Sequence, residues 1–269
     1  MPPAYTSSQK SAIAEFSNVT QADKSTAAKL LKQHSWNVGA AVNTFFNNPS
    51  AGGANSLRSS LSKTFDQYRD NPKDSPDEIT IDGTGKLLED AGIAVDGVDF
   101  FIFSELVASP SMGTLAREGF VDGLSDVGAD TPAKIRNIVL QRRSALNSDP
   151  ELLKNVYNHA FQLGLQDRQK ALPVEMAQEF WKILFTAPAY QWRTNSSPWL
   201  DWWFEFYTEK VNKAVNKDLW KQTLSFAKET MRDESLSFWT DESSWPSVID
   251  EFVEWVKTQK KTGDAMEIS

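Results

Sequence analysis

The apolar positions of the chain recur with helical spacing from near the N-terminus to about residue 257. The first part of the chain predicts three short helices, over Ser8–Phe16, Asp23–Gln33 and Val38–Phe46. The breaks between them are expected at residues 17–20 and 34–37. So short a segment buries only a small core, and we therefore predict a small three-helix domain over residues 7–47.

The segment that follows is poor in apolar side chains and contains two glycines and a proline. This composition is typical of a flexible linker, which we predict over residues 48–56. Helical spacing resumes at Leu57. A larger domain is therefore expected over residues 57–258, with a disordered tail over 259–269.

The larger domain also reads as helical, and its only strand-like piece is Glu78–Asp82. No alternating run of β-branched residues is long enough to form a sheet of any size, so we predict an all-α fold. Helices are expected over residues 86–91, 98–108, 114–127, 131–146, 150–163, 173–185, 198–211, 217–231 and 246–257.

Tryptophan is concentrated in the last third of the chain, where nine of the ten tryptophans follow residue 180. Aromatic and aliphatic side chains occupy most of the circumference of one predicted helix: Trp199, Leu200, Trp203, Phe204, Phe206 and Tyr207. We interpret it as a buried core helix rather than a stacking platform for sugars.

The charge balance narrows the possible partners. The chain has 36 acidic and 28 basic residues and a net charge of -8, so its surface repels phosphate backbones and anionic lipids on average. We therefore expect neither nucleic acid nor a membrane as a partner. No apolar run of about eighteen residues occurs, and Met1–Lys10 lacks the pattern of a secretion signal. A soluble protein is expected.

The chain contains no cysteine, which excludes disulfides, cysteine metal sites and any thioester relay. It fits an intracellular compartment, and we expect the protein in the cytoplasm and the nucleus. His34 and His159 are the only histidines and lie in different predicted domains, which disfavours a serine triad or a histidine metal site. Gly83–Lys86 lacks the length of a phosphate-binding loop. No cofactor is therefore expected.

The residue pattern over 74–82 is similar to that of a calcium-binding loop. However, Ile79 replaces the turn glycine, and Gly85 stands where a bidentate glutamate belongs. The sequence therefore predicts a helix-loop-helix unit without calcium or any other metal.

Two surfaces are candidates for binding. Four residues share one face of the helix over 98–108, and this face is either plain core or a ligand groove: Phe100, Phe103, Ser104 and Val107. Between Asp233 and Glu254 there are seven acidic residues and no Lys or Arg. This second surface is either a solvated acidic face or the docking site of a basic partner.

The N-terminal segment resembles a ubiquitin-associated (UBA) domain. The matching stretches are residues 16–20, 28–31, 36–38 and 41–46. In that family the first loop and the end of the third helix bind ubiquitin, and the possible partner here is ubiquitin or the ubiquitin-like modifier. The resemblance implies that the ubiquitin-binding residues are Phe16, Asn18, Val19, Phe45 and Phe46.

The larger domain resembles the potentiating-neddylation domain of the defective-in-cullin-neddylation family. The matching stretches are residues 79–83, 174–181, 216–220 and 244–252, which include Trp-Pro-x-x-Ile-Asp-Glu-Phe. The resemblance implies EF-hand-like helical units without calcium. It also implies an activity, which is to promote transfer of a ubiquitin-like modifier from its conjugating enzyme to a cullin lysine.

The resemblance implies two binding sites in the larger domain. The family's Asp-Ala-Asp patch, which binds the C-terminal region of the cullin, falls by position on Asp218, Ser244 and Asp250, with the similarly small Ser in place of Ala. The second site is an apolar pocket for the acetylated N-terminal methionine of the conjugating enzyme. The resemblance implies that this pocket is formed by Ile81, Phe100, Phe103, Ser104, Val107, Met112, Leu115, Leu163, Phe180 and Ile183.

The resulting hypothesis is a non-catalytic ligase component, a scaffold without catalytic residues that holds cullin and conjugating enzyme together. The first rival hypothesis is a ubiquitin-binding adaptor without a role in modifier transfer. The second is a calcium sensor, and a hydrolase is a more remote third.

Overall fold

The structure is a computed structural model that describes residues 5–20, 24–47, 53–166, 168–240 and 242–260. Within these ranges the chain is mainly helical, and its strands form two short antiparallel ribbons. The predicted all-α fold is confirmed. None of the described helices combines the length and the apolar character that crossing a bilayer requires.

The N-terminal part folds as three helices, α1 (Ser7–Thr20), α2 (Lys24–Gln33) and α3 (Val38–Asn47). The side chains of Phe16, Leu31 and Ala41 are fully buried between them. These residues belong to a buried cluster that shares no member with the cluster of the larger domain. The N-terminal helices therefore pack around a core of their own.

The predicted break after Phe16 is wrong, because α1 continues to Thr20. The Thr20 hydroxyl donates a hydrogen bond to the Phe16 carbonyl oxygen at 2.7 Å, a local bond that is compatible with a helical turn. Residues 17–20 also contain neither glycine nor proline. The residues predicted as the first loop therefore form the last turn of a helix.

The predicted linker is wrong in its second half, because α4 (Gly53–Tyr68) begins inside it. Leu61 and Phe65 are fully buried, and Leu57 packs against the same core. This i, i+4, i+8 spacing anchors a helix whose first turn has the composition of a linker. Residues 48–52 of the predicted linker, and 261–269 of the predicted tail, lie outside the described residues.

The larger domain continues with β1 (Glu78–Ile79), α5 (Ile81–Ala91), α6 (Val98–Leu106), β2 (Leu115–Ala116), α7 (Arg117–Asp126) and α8 (Pro132–Ala145). Its second half contains α9 (Pro150–Leu163), β3 (Ala171–Leu172), α10 (Val174–Leu184), α11 (Trp199–Phe206), the π-helical turn Tyr207–Val211, β4 (Val215–Asn216), α12 (Lys217–Arg232) and α13 (Ser247–Gln259). Each predicted helix of this domain is present. The main difference in bounds is at α5, which begins at Ile81 instead of Lys86.

The two ribbons join helix-loop-helix units in pairs. In the first ribbon Glu78 pairs with Ala116 and Ile79 with Leu115, which connects the loop after α4 to the loop after α6. In the second, β3 pairs with β4 and connects the loop after α9 to the loop before α12. Two pairs of helix-loop-helix units joined by short ribbons agree with the EF-hand-like arrangement that the resemblance implied.

Asp70 occupies the first of these loops and binds protein groups. Its carboxylate accepts hydrogen bonds from the Thr80 hydroxyl, from the Thr80 backbone N–H at 2.9 Å and from the Gly83 N–H at 3.3 Å. The hydrogen bond from the Thr80 side chain is the main reason that the pKa of Asp70 is lowered to about 2. The carboxylate therefore stabilises the start of α5. Across the described ranges, no group of three or more His, Asp or Glu side chains is placed to hold a metal ion.

Aromatic side chains build the core of the second half. The indole rings of Trp181 and Trp220 stack at 5.4 Å between centroids and an interplanar angle of 11°. Between them, the Tyr157 hydroxyl accepts from Trp181 Nε1 at 2.8 Å and donates to the Trp220 carbonyl oxygen at 2.9 Å. Trp199 and Trp203 are also fully buried, which confirms α11 as a core helix.

Candidate functional site

Asp218 lies at the surface in the first turn of α12. Asn216 caps the helix, since its side-chain oxygen accepts a hydrogen bond from the Leu219 N–H at 2.8 Å. Leu219 and Trp220 are buried, so they fix the orientation of this turn against the core. The side chain of Asp218 is exposed, and its charge is favoured by the helix dipole.

Asp250 and Ser244 lie in the first turn of α13 and in the loop before it. Ser244 is exposed, and Asp250 is half-buried. The Asp250 Oδ1 atom accepts a hydrogen bond from Trp239 Nε1 at 2.8 Å. The three residues predicted to bind cullin therefore lie on three separate segments, each of them accessible. The contact from Trp239 was not predicted, because no sequence pattern indicates a bond between a loop indole and a helix carboxylate.

A groove of about 700 Å³ adjoins Asp250. Its wall combines three carboxylates with aromatic rings, and the lining residues are Phe206, Lys210, Trp239, Asp250, Glu251, Glu254 and Trp255. Two lysines of the same region lie over these rings, with Lys257 Nζ at 4.0 Å from the Trp239 ring centroid and Lys260 Nζ at 4.9 Å from that of Trp255. The surface around Asp250 therefore combines carboxylates and lysines with aromatic rings, and its carboxylates suit a basic partner.

Most residues of the predicted conjugating-enzyme pocket are buried. Seven of them are covered by their neighbours: Phe100, Phe103, Ser104, Val107, Leu115, Leu163 and Phe180. Ile183 is half-buried. Ile81 is 68% exposed and Met112 is 40% exposed. Among the predicted set, these two side chains are the most accessible to a partner.

The exposed and buried members of this set adjoin each other at the first ribbon. A Cβ atom at Gly113 would lie 3.1 Å from Ile81 Cγ1, so Ile81 packs over the turn that contains Met112. Leu115, in the strand that follows, is buried. Of the two interpretations left open for the α6 face, burial supports core, since Phe103 and Val107 have no exposed surface.

His159 is a polar group beside this set that the sequence did not connect with it. Burial is the main influence on its imidazole and lowers its pKa, while a hydrogen bond with the backbone of Ser104 raises it. The net direction is downward, so the ring is neutral at pH 7. His159 therefore adds a neutral hydrogen-bonding side chain next to α6.

The predicted ubiquitin-binding residues differ widely in accessibility. Val19 is 55% exposed and Asn18 is exposed, both at the end of α1. Phe16 has no exposed surface and packs edge-to-face against the half-buried Phe45, with 5.6 Å between ring centroids. The side chain of Phe46 lies outside the described residues. Phe16 therefore belongs to the core, and Val19 is the most exposed apolar residue among those of this set whose side chains the structure describes.

Comparison with known proteins finds two family models that match separate parts of the chain. Residues 10–52 match a family model described as a UBA-like domain, and residues 134–255 match one described as cullin binding. The second match includes Asp218, Ser244 and Asp250, the three residues predicted to bind cullin. The fold and the site thus define a class, which is an all-α protein with a UBA-like domain followed by a cullin-binding domain.

Similar proteins cover nearly the whole chain. The protein named Defective in cullin neddylation protein 1 of Pyricularia oryzae is 36% identical over 94% of this chain and 95% of its own length. Its namesake from Yarrowia lipolytica is 33% identical over 88% of this chain and 92% of its own length. DCN1-like protein 5 of Homo sapiens is 27% identical over 69% of this chain and 74% of its own length. This chain belongs to the defective-in-cullin-neddylation family.

Proposed function

We propose that this protein promotes the transfer of a ubiquitin-like modifier from its conjugating enzyme to a cullin lysine. In this proposal Asp218, Ser244 and Asp250 bind the C-terminal region of the cullin. The surface around Ile81 and Met112 binds the acetylated N-terminus of the conjugating enzyme. The protein acts as a scaffold and contributes no reacting group.

One observation carries the proposal: a single hydrophobic core lies under both surfaces. The buried cluster of the larger domain includes Leu115, which follows Met112 by three residues, and Leu219 and Ile249, which are chain neighbours of Asp218 and Asp250. A continuous close-packed core allows little movement of one surface relative to the other. Two partners bound to it are therefore held in one relative orientation, which raises the effective concentration of the donor at the acceptor lysine.

The chemistry of the chain agrees with a scaffold role. Without cysteine it cannot carry the modifier as a thioester. Acetylation of the conjugating enzyme suits the apolar surface at Ile81, because it removes the charge of the terminal amine. Burying that charge without a partner would cost several kcal/mol.

The experiment that tests the proposal is a cullin modification assay in vitro, with purified activating and conjugating enzymes and with or without this chain. We expect faster formation of the modified cullin when the chain is present. The matched control is the double variant Asp218→Lys with Asp250→Lys, which keeps the fold but reverses the charge of the cullin surface. Equal rates with the wild type, with the control and with no added chain would reject the proposal.

The UBA-like match also supports a second candidate function, a ubiquitin-binding adaptor without a role in transfer. A pull-down with the basic winged-helix region at the C-terminus of a cullin separates the two. Binding that is lost in Asp250→Lys favours the scaffold. Capture of ubiquitin through Val19, with no binding of the cullin region, favours the adaptor.

A further inference from the structure

We propose that Trp239 is a positioning residue, which fixes the carboxylate of Asp250 for a basic side chain of the cullin. The inference rests on the function proposed above, since it gives Asp250 the role of a cullin-binding residue. It adds a residue from the loop between α12 and α13 to the binding surface and gives it a separate task. Trp239 orients the charge, and Asp250 binds.

The hydrogen bond from Trp239 gives the two carboxylate oxygens of Asp250 different roles. Trp239 Nε1 donates to Asp250 Oδ1 at 2.8 Å, and an indole nitrogen donates but does not accept. The bond therefore restrains the rotation of the carboxylate, and in this proposal Oδ2 is the oxygen that meets an incoming cation. Asp250 also lies on the wall of the groove, along which a basic side chain would approach.

The indole is itself held in place from α13. Lys257 Nζ lies 4.0 Å from the centroid of the Trp239 ring. Lys257 follows Asp250 by seven residues, so both lie on the same face of α13 about two turns apart. Trp239 thus contacts this face at two points, through its N–H at Asp250 and through its ring at Lys257. A ring fixed at two points cannot swing away from the carboxylate without losing both contacts.

The loop that carries Trp239 is also fixed at its start. The carboxylate of Asp233 accepts hydrogen bonds from the Ser235 and Ser237 backbone N–H groups, each at 2.9 Å. The backbone N–H of Trp239 donates to the Leu236 carbonyl oxygen at 3.1 Å, and the Leu236 side chain is buried. Trp239 is therefore held in position in the absence of a partner.

A carboxylate already oriented by the protein loses less freedom on binding than a mobile one. Its supporting bond contributes to affinity although it touches no atom of the partner. A hydrogen bond to a charged group is the stronger kind. Losing it should weaken cullin binding about five- to tenfold.

The test is a thermodynamic cycle, measured by calorimetric titration of the cullin C-terminal region into four full-length proteins. These are the wild type, Trp239→Phe, Asp250→Ala and the double variant. Phenylalanine keeps an aromatic ring for Lys257 to contact and removes the donor, and alanine removes the acceptor, which asparagine would keep. We expect Trp239→Phe to weaken binding about five- to tenfold in the wild-type background and to have no effect when Asp250 is already Ala. Equal losses in both backgrounds would overturn the inference.

A second variant tests the orientation of the Asp250 carboxylate without a change at Trp239. Asp250→Glu keeps the charge but moves the carboxylate away from the indole, so we expect binding weakened to a similar degree. Wild-type affinity in Asp250→Glu would show that orientation is irrelevant and would overturn the inference. If Asp250→Ala itself binds like the wild type, the cullin surface proposed above fails. Loss in Asp250→Ala without loss in Trp239→Phe rejects only the role of Trp239.

Discussion

The residues predicted to bind cullin differ in how their surroundings constrain them. Asp218 is exposed in the first turn of α12, whereas Asp250 is half-buried and accepts a hydrogen bond from Trp239. Both lie at helix starts, where the buried residues that follow them fix the backbone. Their side chains can therefore be changed without a change in the core.

We predict that Asp218→Lys and Asp250→Lys each abolish binding to the cullin C-terminal region, since each replaces an attractive charge with a repulsive one. The fold should survive, and circular dichroism with thermal melting checks it. The matched control is Asp126→Lys, an exposed acid at the end of α7 with the same change in net charge. Cullin binding retained in both aspartate variants, or lost equally in the control, would contradict the patch.

Ile81 is the residue that best separates binding from stability at the conjugating-enzyme surface. Because it is largely exposed at the start of α5, we predict that Ile81→Asp keeps the melting temperature. It should weaken binding of an acetylated conjugating-enzyme peptide about tenfold or more, through loss of an apolar contact. Fluorescence anisotropy with a labelled peptide measures the change, and wild-type affinity would remove Ile81 from the site.

Phe103, which was predicted for the same site as Ile81, is its buried counterpart. Its ring has no exposed surface, so Phe103→Glu puts a charge into the core at a cost of several kcal/mol. We expect this variant to unfold or to melt at a much lower temperature. Lost peptide binding in Phe103→Glu would therefore report on folding rather than on recognition, which is why burial matters in choosing the residue to change.

At the scale of the elements, the helices were predictable and their junctions were not. Helical periodicity is local, so the bounds of α9 followed directly from the residues between Pro150 and Leu163. The ribbons have two residues per strand and pair segments some forty positions apart, which no local pattern encodes. The start of α4 was missed for the opposite reason, since its composition is that of a linker while its stability comes from the packing of Leu61 and Phe65.

The same distinction applies to the candidate site. Asp218 and Asp250 were predicted from the resemblance of the motifs around them, but the indole that contacts Asp250 comes from a loop eleven residues earlier. The burial of Phe16 and Phe103 could not be read from spacing alone, because an apolar helix face has the same pattern whether it packs inward or lines a groove. Accessibility depends on the packing partners, which lie elsewhere in the chain.

The junction between α4 and α5 makes a prediction about pH. The pKa of Asp70 is lowered from 3.8 to about 2 by its hydrogen bonds at the start of α5. A carboxyl with a lowered pKa stabilises the fold fully above its unfolded pKa, and this contribution is lost as the pH falls toward the folded value. The difference in free energy of unfolding between the wild type and Asp70→Asn should therefore be largest above about pH 5 and shrink toward about pH 2.

Chemical denaturation at several pH values measures this difference. Asp74→Asn is the matched control, because Asp74 is an exposed aspartate of the same loop. We expect little change in stability for the control across the range. A difference between wild type and Asp70→Asn that stays constant down to about pH 3 would contradict the role of Asp70 at the start of α5.

At the scale of the whole molecule, the proposed mechanism depends on both surfaces belonging to one body. The core that includes Leu115 and Ile249 is one buried cluster, so a partner at either surface is held relative to the other. Each surface alone only binds. Acceleration requires that the donor and the acceptor meet on the same scaffold, because the gain comes from effective concentration and orientation.

This requirement can be tested by mixing two inactive proteins. Ile81→Asp retains the cullin surface and Asp250→Lys retains the conjugating-enzyme surface, so a mixture of the two contains every binding site but never both on one molecule. We predict that the mixture stimulates cullin modification no more than either variant alone, because a bound donor and a bound cullin still meet by diffusion. Gel-based rates of modification at equal total protein measure this. A mixture that restores the wild-type rate would mean that each surface activates its own partner independently, and the scaffold mechanism would have to be abandoned.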